Sequence, residues 1–144
     1  MSIAITGLGI VCAIGNDITS VLTSLRQKKS GIGTMHYLQS EHSELPVGEV
    51  KLSNEEMMSM LDLDKGEAWS RTTLMGAIAV RQALTQAGVF GLDGKKVALI
   101  SGTTVGGMDV TEKWFNSFAE SDEHIGCLKS HDCGSCTQDI AAAS

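Results

Sequence analysis

Aromatic side chains are scarce: three Phe, two Trp and one Tyr make up 4% of the 144 residues. An interior built around stacked rings is excluded, so the core has to come from Ile, Leu, Val, Ala and Met. Basic runs are also missing. Only the pairs Lys28-Lys29 and Lys95-Lys96 occur, and the net charge is −6. That balance excludes a nucleic-acid footprint. No apolar stretch approaches the roughly 20 residues that cross a bilayer, so no membrane partner is expected. The first residues, MSIAITGLG, lack a basic segment ahead of a long apolar run, which argues against a secretory signal. Four cysteines (Cys12, Cys127, Cys133 and Cys136) in an unexported chain are expected to be thiols, and the expected compartment is the cytoplasm. What is present is ordinary: 42% hydrophobic and 19% charged residues, enough for the core of one soluble domain.

The chain is organised around residues 97–109, VALISGTTVGGMD. Val97, Ala98, Leu99 and Ile100 form a short continuous apolar run, which predicts a strand buried on both faces. Gly102, Gly106 and Gly107 follow, where the backbone can turn sharply. Asp109, with Glu112 three residues later, predicts a helix start capped by the Asp side chain. A strand, a glycine loop and a capped helix form a common α/β site architecture.

Around this centre, residues 3–6 predict a first strand, and residues 7–15, GLGIVCAIG, a turn-rich segment. Asn16 or Asp17 is suited to cap a helix with Ile18, Val21, Leu22 and Leu25 on its apolar face and Lys28 and Lys29 in its last turn. A surface loop over 33–44 and a short strand over 46–50 come next. Ser53 and Glu56 form a capping box ahead of Met57, Met60 and Leu61. Ser70 caps a helix over 71–87, closed by Gly88. Its apolar face holds Leu74, Met75, Ile78, Ala79, Ala83 and Leu84, and Gly76 and Ala77 leave room for a close neighbour. Val110, Trp114 and Phe118 line a further helix, and residues 138–144 turn helical again. That last segment has no stop signal, and the pattern opens an α/β domain without completing it. The chain is therefore expected to be part of something longer.

Gly7-x-Gly9 after a strand invites a dinucleotide-binding reading. Cys12 stands where the third glycine belongs, and the helix starts too late. A glycine-rich turn explains the pair better. The loop GTTVGG is not a phosphate cradle, because it ends in Met108-Asp109 rather than Lys-Ser/Thr and its helix opens with a carboxylate. His124, Cys127, His131, Cys133 and Cys136 offer zinc-type donors, but only Cys133 and Cys136 have close spacing. Small, part-buried thiols are the simpler reading, so no metal is expected. Cys133 or Cys136 as a nucleophile, with His131 as base, is the remaining option from the residues alone.

Four stretches, in order, resemble the N-terminal part of the β-ketoacyl-acyl carrier protein synthases. They are ITGLGIVCAIG at 5–15, Ser30-Gly31-Ile32, RTTLMGAIAVRQALTQAG at 71–88, and ALISGTTVGGM at 98–108. The resemblance implies that residues 1–144 are the N-terminal half of a thiolase-like α/β fold layered α-β-α-β-α, incomplete in this chain. It implies a homodimer or heterodimer, an acyl carrier protein as partner, and no cofactor. The implied reaction is decarboxylative Claisen condensation of an acyl thioester with malonyl-acyl carrier protein, in fatty acid or polyketide synthesis. The family's nucleophile sits in a Thr-Ala-Cys-Ser-like motif, and none occurs here; its two histidines belong to the other half. No catalytic residue is therefore placed, and the chain alone is expected to be inactive. Val105 falls where the family lines its acyl pocket. Cys133, Gly134, Ser135, Cys136, Thr137 and Gln138 fall where the family approaches its dimer interface. A non-catalytic chain-length-factor-like subunit and a small zinc module are the alternatives.

Overall fold

The computed structural model describes residues 2–38, 40–64, 69–92, 94–120 and 135–143, the side chains of 116–118, 135 and 136 excepted. Among the described residues five helices carry the architecture: α1 (Ile18–Arg26), α2 (Asn54–Met60), α3 (Arg71–Gln86), α4 (Met108–Glu120) and α5 (Ser135–Ala143). The longest, α3, packs against both α2 and α5.

Local chemistry explains where the first three helices begin. Asp17 accepts from Ser20 N–H at 2.8 Å, and Ser20 Oγ accepts from Asp17 N–H at 3.2 Å, a reciprocal capping box on α1. Ser53 and Glu56 repeat the arrangement on α2 at 3.1 and 2.7 Å. Ser70 Oγ accepts from Thr73 N–H on α3 at 3.1 Å. Each cap satisfies donors that a helix start leaves free and contributes about 1 kcal/mol.

All three also end alike. After α3, Gly88 turns left-handed at φ 68°, with Val89 N–H reaching Leu84 O and Gly88 N–H reaching Thr85 O. After α1 and α2 the same pattern places Lys28 (φ 54°) and Asp62 (φ 58°) in the left-handed position. Lys28 thus lies just past α1 rather than in its last turn. A residue with a Cβ holds that conformation at a cost of about 1 kcal/mol relative to Gly.

The core joins α2, α3 and α5 through Met57, Met58, Leu61, Leu74, Ala77, Ile78 and Ala143, all buried. It is aliphatic and methionine-rich, as the scarcity of rings requires, and Leu74 is wholly enclosed. Burying such a side chain contributes about 2–3 kcal/mol. Ile140 of α5 rests against Gly76 of α3, the close approach that the small residues there predict. On α1 the predicted apolar face is only partly used: Val21 is buried, while Leu22 and Leu25 are 45% and 59% exposed. Ser24 takes the inner position instead and donates to Ile14 O at 2.7 Å.

The predicted strands differ most from what is found. Among the described residues there are two isolated bridges, Cys12 with Gly15 and Gly33 with Val47, and no ladder. The short strand expected over 46–50 is reduced to Val47. Residues 97–100 are not buried on both faces: Val97 is 58% and Ile100 93% exposed. Ile3 and Ile5, in the first predicted strand, are 97% and 83% exposed. A strand needs a neighbour for its N–H and C=O groups, which an apolar run does not itself supply. In the turn-rich segment just beyond the first predicted strand, helix side chains take backbone groups. Gln86 Oε1 accepts from Leu8 N–H at 2.6 Å, and Gln82 Oε1 accepts from Ile10 N–H at 3.0 Å. Gln82 Nε2 donates back to Asn16 O at 2.6 Å. The segment lies so close to α3 that a Cβ on Gly7 or Gly9 would overlap the carbonyls of Ala83 or Ala79. The Gly-x-Gly pair therefore serves backbone packing, as the turn reading expects.

Two outcomes follow. Gly9→Ala should lower stability by about 1–3 kcal/mol, because the helix backbone it meets cannot move aside cheaply. Thermal melts followed by circular dichroism will register this, and an unchanged midpoint would contradict the close packing. The apolar side chains bared at Ile3, Ile5 and Ile100 should make the isolated 144-residue chain self-associate. Size-exclusion chromatography should show elution ahead of the monomer volume, moving back toward it in the Ile5→Lys/Ile100→Lys variant.

Candidate functional site

The site is built on the first turn of α3. Arg71 is its first residue, and a cation there opposes the helix dipole. The structure shows what compensates. Asp109 Oδ2 accepts from the Arg71 backbone N–H at 3.0 Å, a carboxylate brought from another element to a free donor. The Arg71 guanidinium turns away from the helix end. Its Nη1 donates to Asn54 Oδ1 at 3.0 Å, its Nη2 donates to Val50 O at 2.9 Å, and its Cζ lies 5.4 Å from the Tyr37 ring centre. That stacking distance falls within cation–π range.

Tyr37 is fixed in turn by Glu49. The Glu49 carboxylate accepts from three successive backbone N–H groups: His36 at 2.8 Å, Tyr37 at 2.9 Å and Leu38 at 2.6 Å. Burial pushes its carboxyl pKa upward, but those three donors and the nearby Arg71 charge outweigh burial and hold it below the usual glutamate value. Arg71 thus ties the loop around 36–50, the start of α2 and the start of α4 to one point.

The glycine loop arrives on the other side of that point. Gly107 is buried with φ 89°, a left-handed turn open to Gly at little cost. A Cβ on Gly106 would come within 3.0 Å of Thr72 Cγ2. Helix α4 starts at Met108, two residues earlier than Asp109 as its cap predicts. Asp109 therefore sits inside the first turn and reaches α3, which corrects the expectation that it caps its own helix. Val110 is buried beneath the turn, and Val105 is 70% exposed at its tip.

Of the predicted dimer-interface residues, Ser135, Cys136, Thr137 and Gln138 form the start of α5; Cys133 and Gly134 lie outside the described residues. Thr137 is half-buried and Gln138 exposed. The glycine loop meets α3 at Thr72 and α5 meets it at Gly76. Those positions are four apart and share one helix face, so the glycine loop and α5 dock one turn from each other; the α5 contact is made by Ile140, outside the predicted 133–138 segment. A groove of about 410 Å³ runs along a different face of α3, past Ile78, Arg81, Gln82 and Thr85, and includes neither segment. His124, Cys127, His131 and Cys133 of the zinc alternative lie outside the described residues, as does the Cys136 side chain. Among the described residues, no group of three or more His, Cys, Asp or Glu is placed to hold a metal, and no helix is long and apolar enough to cross a membrane.

Comparison with known proteins bears on the family. The family model described as Beta-ketoacyl synthase, N-terminal domain, matches residues 1–141. The chain belongs to the β-ketoacyl synthase family. Nodulation protein E of Rhizobium meliloti (strain 1021) is 32% identical over 123 residues, covering 80% of this chain and 29% of that protein. The chain thus spans less than a third of that relative's length. No solved structure matches it.

The roles of Arg71, Glu49 and Tyr37 are absent from the sequence reading. One signal was available: a basic residue at a helix start without an acidic neighbour in its first turn needs a partner from elsewhere. For Glu49, whose folded pKa is depressed, the added stability is complete above the unfolded pKa of about 4.3 and is lost as pH falls through the folded value. Wild-type and Glu49→Gln chains should therefore differ in urea midpoint at pH 7, and the difference should shrink as the pH is taken below the unfolded value. Parallel curves across that range would contradict the role given to the carboxylate.

Proposed function

We propose that this domain is the N-terminal portion of a β-ketoacyl-acyl carrier protein synthase, supplying a wall of the acyl pocket and a scaffold rather than the reacting groups. The parent enzyme would condense an acyl thioester with malonyl-acyl carrier protein, losing carbon dioxide, in fatty acid or polyketide synthesis. In such chemistry a cysteine at a buried helix N-terminus takes the acyl group, since the helix dipole favours thiolate. Two histidines then stabilise the developing enolate oxygen. No Thr-Ala-Cys-Ser-like motif occurs in residues 1–144, so these groups are assigned outside this stretch.

The family match over residues 1–141 carries the reading. Residues 3–6 and 97–100 then belong to a sheet of the layered α-β-α-β-α fold, whose remaining strands would cover Ile3, Ile5 and Ile100. Residues 133–138 approach the dimer interface, in a homodimer or heterodimer, and the enzyme works on acyl carrier protein in the cytoplasm. Exposure favours the pocket role of Val105 over plain loop packing: at 70% exposed, its side chain is not filling an interior gap.

Two measurements test this. Intact-mass analysis of the 144-residue chain after incubation with an acyl-carrier protein thioester should show no acyl adduct. A stable adduct on Cys133 or Cys136 would overturn the placement of the nucleophile elsewhere. In the full-length protein, Val105→Ala should admit longer acyl chains and Val105→Phe should exclude them, by about tenfold in kcat/KM per one or two methylenes.

A further inference from the structure

The loop bearing Val105 owes its position to contacts outside itself. Val105 is largely exposed, so its side chain anchors little. What holds the loop is the α4 start: Met108 N–H reaches Val105 O at 3.4 Å, and Val110 and Thr111 N–H groups reach Gly107 O at 3.1 and 3.2 Å. That start is in turn held by Asp109 on the Arg71 N–H and by Gly106 against Thr72. Both contacts fall within the first two residues of α3, whose core side is immobilised by Leu74, Ala77 and Ile78. A displacement at Asp109 therefore moves the loop tip, four residues away through a hydrogen-bonded turn.

We propose that Asp109 is a specificity-determining positioning residue: its bond to the α3 start sets how far Val105 projects into the acyl pocket. The inference rests on the assignment of Val105 to that pocket. A carboxylate on a helix-terminal N–H is a charge-assisted bond reinforced by the helix dipole. Asn at 109 keeps an acceptor and loses the charge; Ala loses both.

The test compares acyl donors differing by two carbons, in the full-length protein, for wild type, Val105→Ala, Asp109→Ala and Asp109→Asn. Asp109→Ala should compress the ratio of kcat/KM between the two donors by about tenfold, the discrimination carried by roughly one methylene. The change should appear in KM more than in kcat. Asp109→Asn should fall between wild type and Asp109→Ala, and it decides the matter if Asp109→Ala does not fold. The double variant Val105→Ala/Asp109→Ala should match Val105→Ala alone, because with the wall gone its placement no longer matters. A second readout uses the 144-residue chain: Asp109→Ala should speed amide exchange at Arg71 and at 107–111 while leaving α2 unchanged. If Val105→Ala leaves the ratio unaltered, the pocket assignment fails and takes this inference with it. If Val105→Ala shifts the ratio and both Asp109 variants do not, the pocket stands and the positioning role is overturned.

Discussion

Backbone groups from several other segments find their partners on helix α3, and that constraint organises the rest of the described structure. Gln82 and Gln86 accept from the N-terminal segment at Ile10 and Leu8. Arg81 donates to Met60 O at 2.8 Å and to Leu61 O at 2.9 Å, satisfying carbonyls at the end of α2. Arg71 donates to Val50 O, and its own N–H is taken by Asp109. A buried or half-buried peptide group without a partner costs about 1–3 kcal/mol. These side chains therefore tie the loops to the helix, beside the apolar core that holds α2 and α5. Close approach is the precondition, which is why Gly7, Gly9 and Gly76 stand where the contacts with α3 are shortest.

Legibility followed the range of the interaction. The caps at Asp17, Ser53 and Ser70 were readable because donor and acceptor lie three residues apart. The Gly88 stop and the room left at Gly76 were readable because glycine has few other reasons to sit in those patterns. The aliphatic, methionine-containing core followed from composition. The strands at 3–6 and 97–100 were read from apolar runs, yet strand character depends on a neighbour that no local pattern specifies. Ser30-Gly31 and the segment 62–66 mark the ends of α1 and α2 in the sequence, but the left-handed residues are Lys28 and Asp62, positions usually marked by glycine.

Asp109 shows how local and tertiary capping compete. Its spacing to Glu112 fits a capping box, and three residues upstream Gly106 fits a turn. The helix begins two residues early instead, and the carboxylate serves α3. Both choices satisfy an orphan N–H. The tertiary one also compensates a dipole that Arg71 opposes, and it lets α4 start at Met108 beside the left-handed Gly107. The sequence feature that discriminates is therefore on another helix, 38 residues away.

The same logic separates the faces of α3. Thr72 receives the glycine loop at Gly106, and Gly76 receives Ile140 of α5. Ile78, Gln82 and Thr85, on a different face, line the groove beside the N-terminal segment. Thr72 lies in the first turn of α3 and Gly76 one turn beyond it, so the register of a single helix fixes the places of both neighbours, the glycine loop and α5.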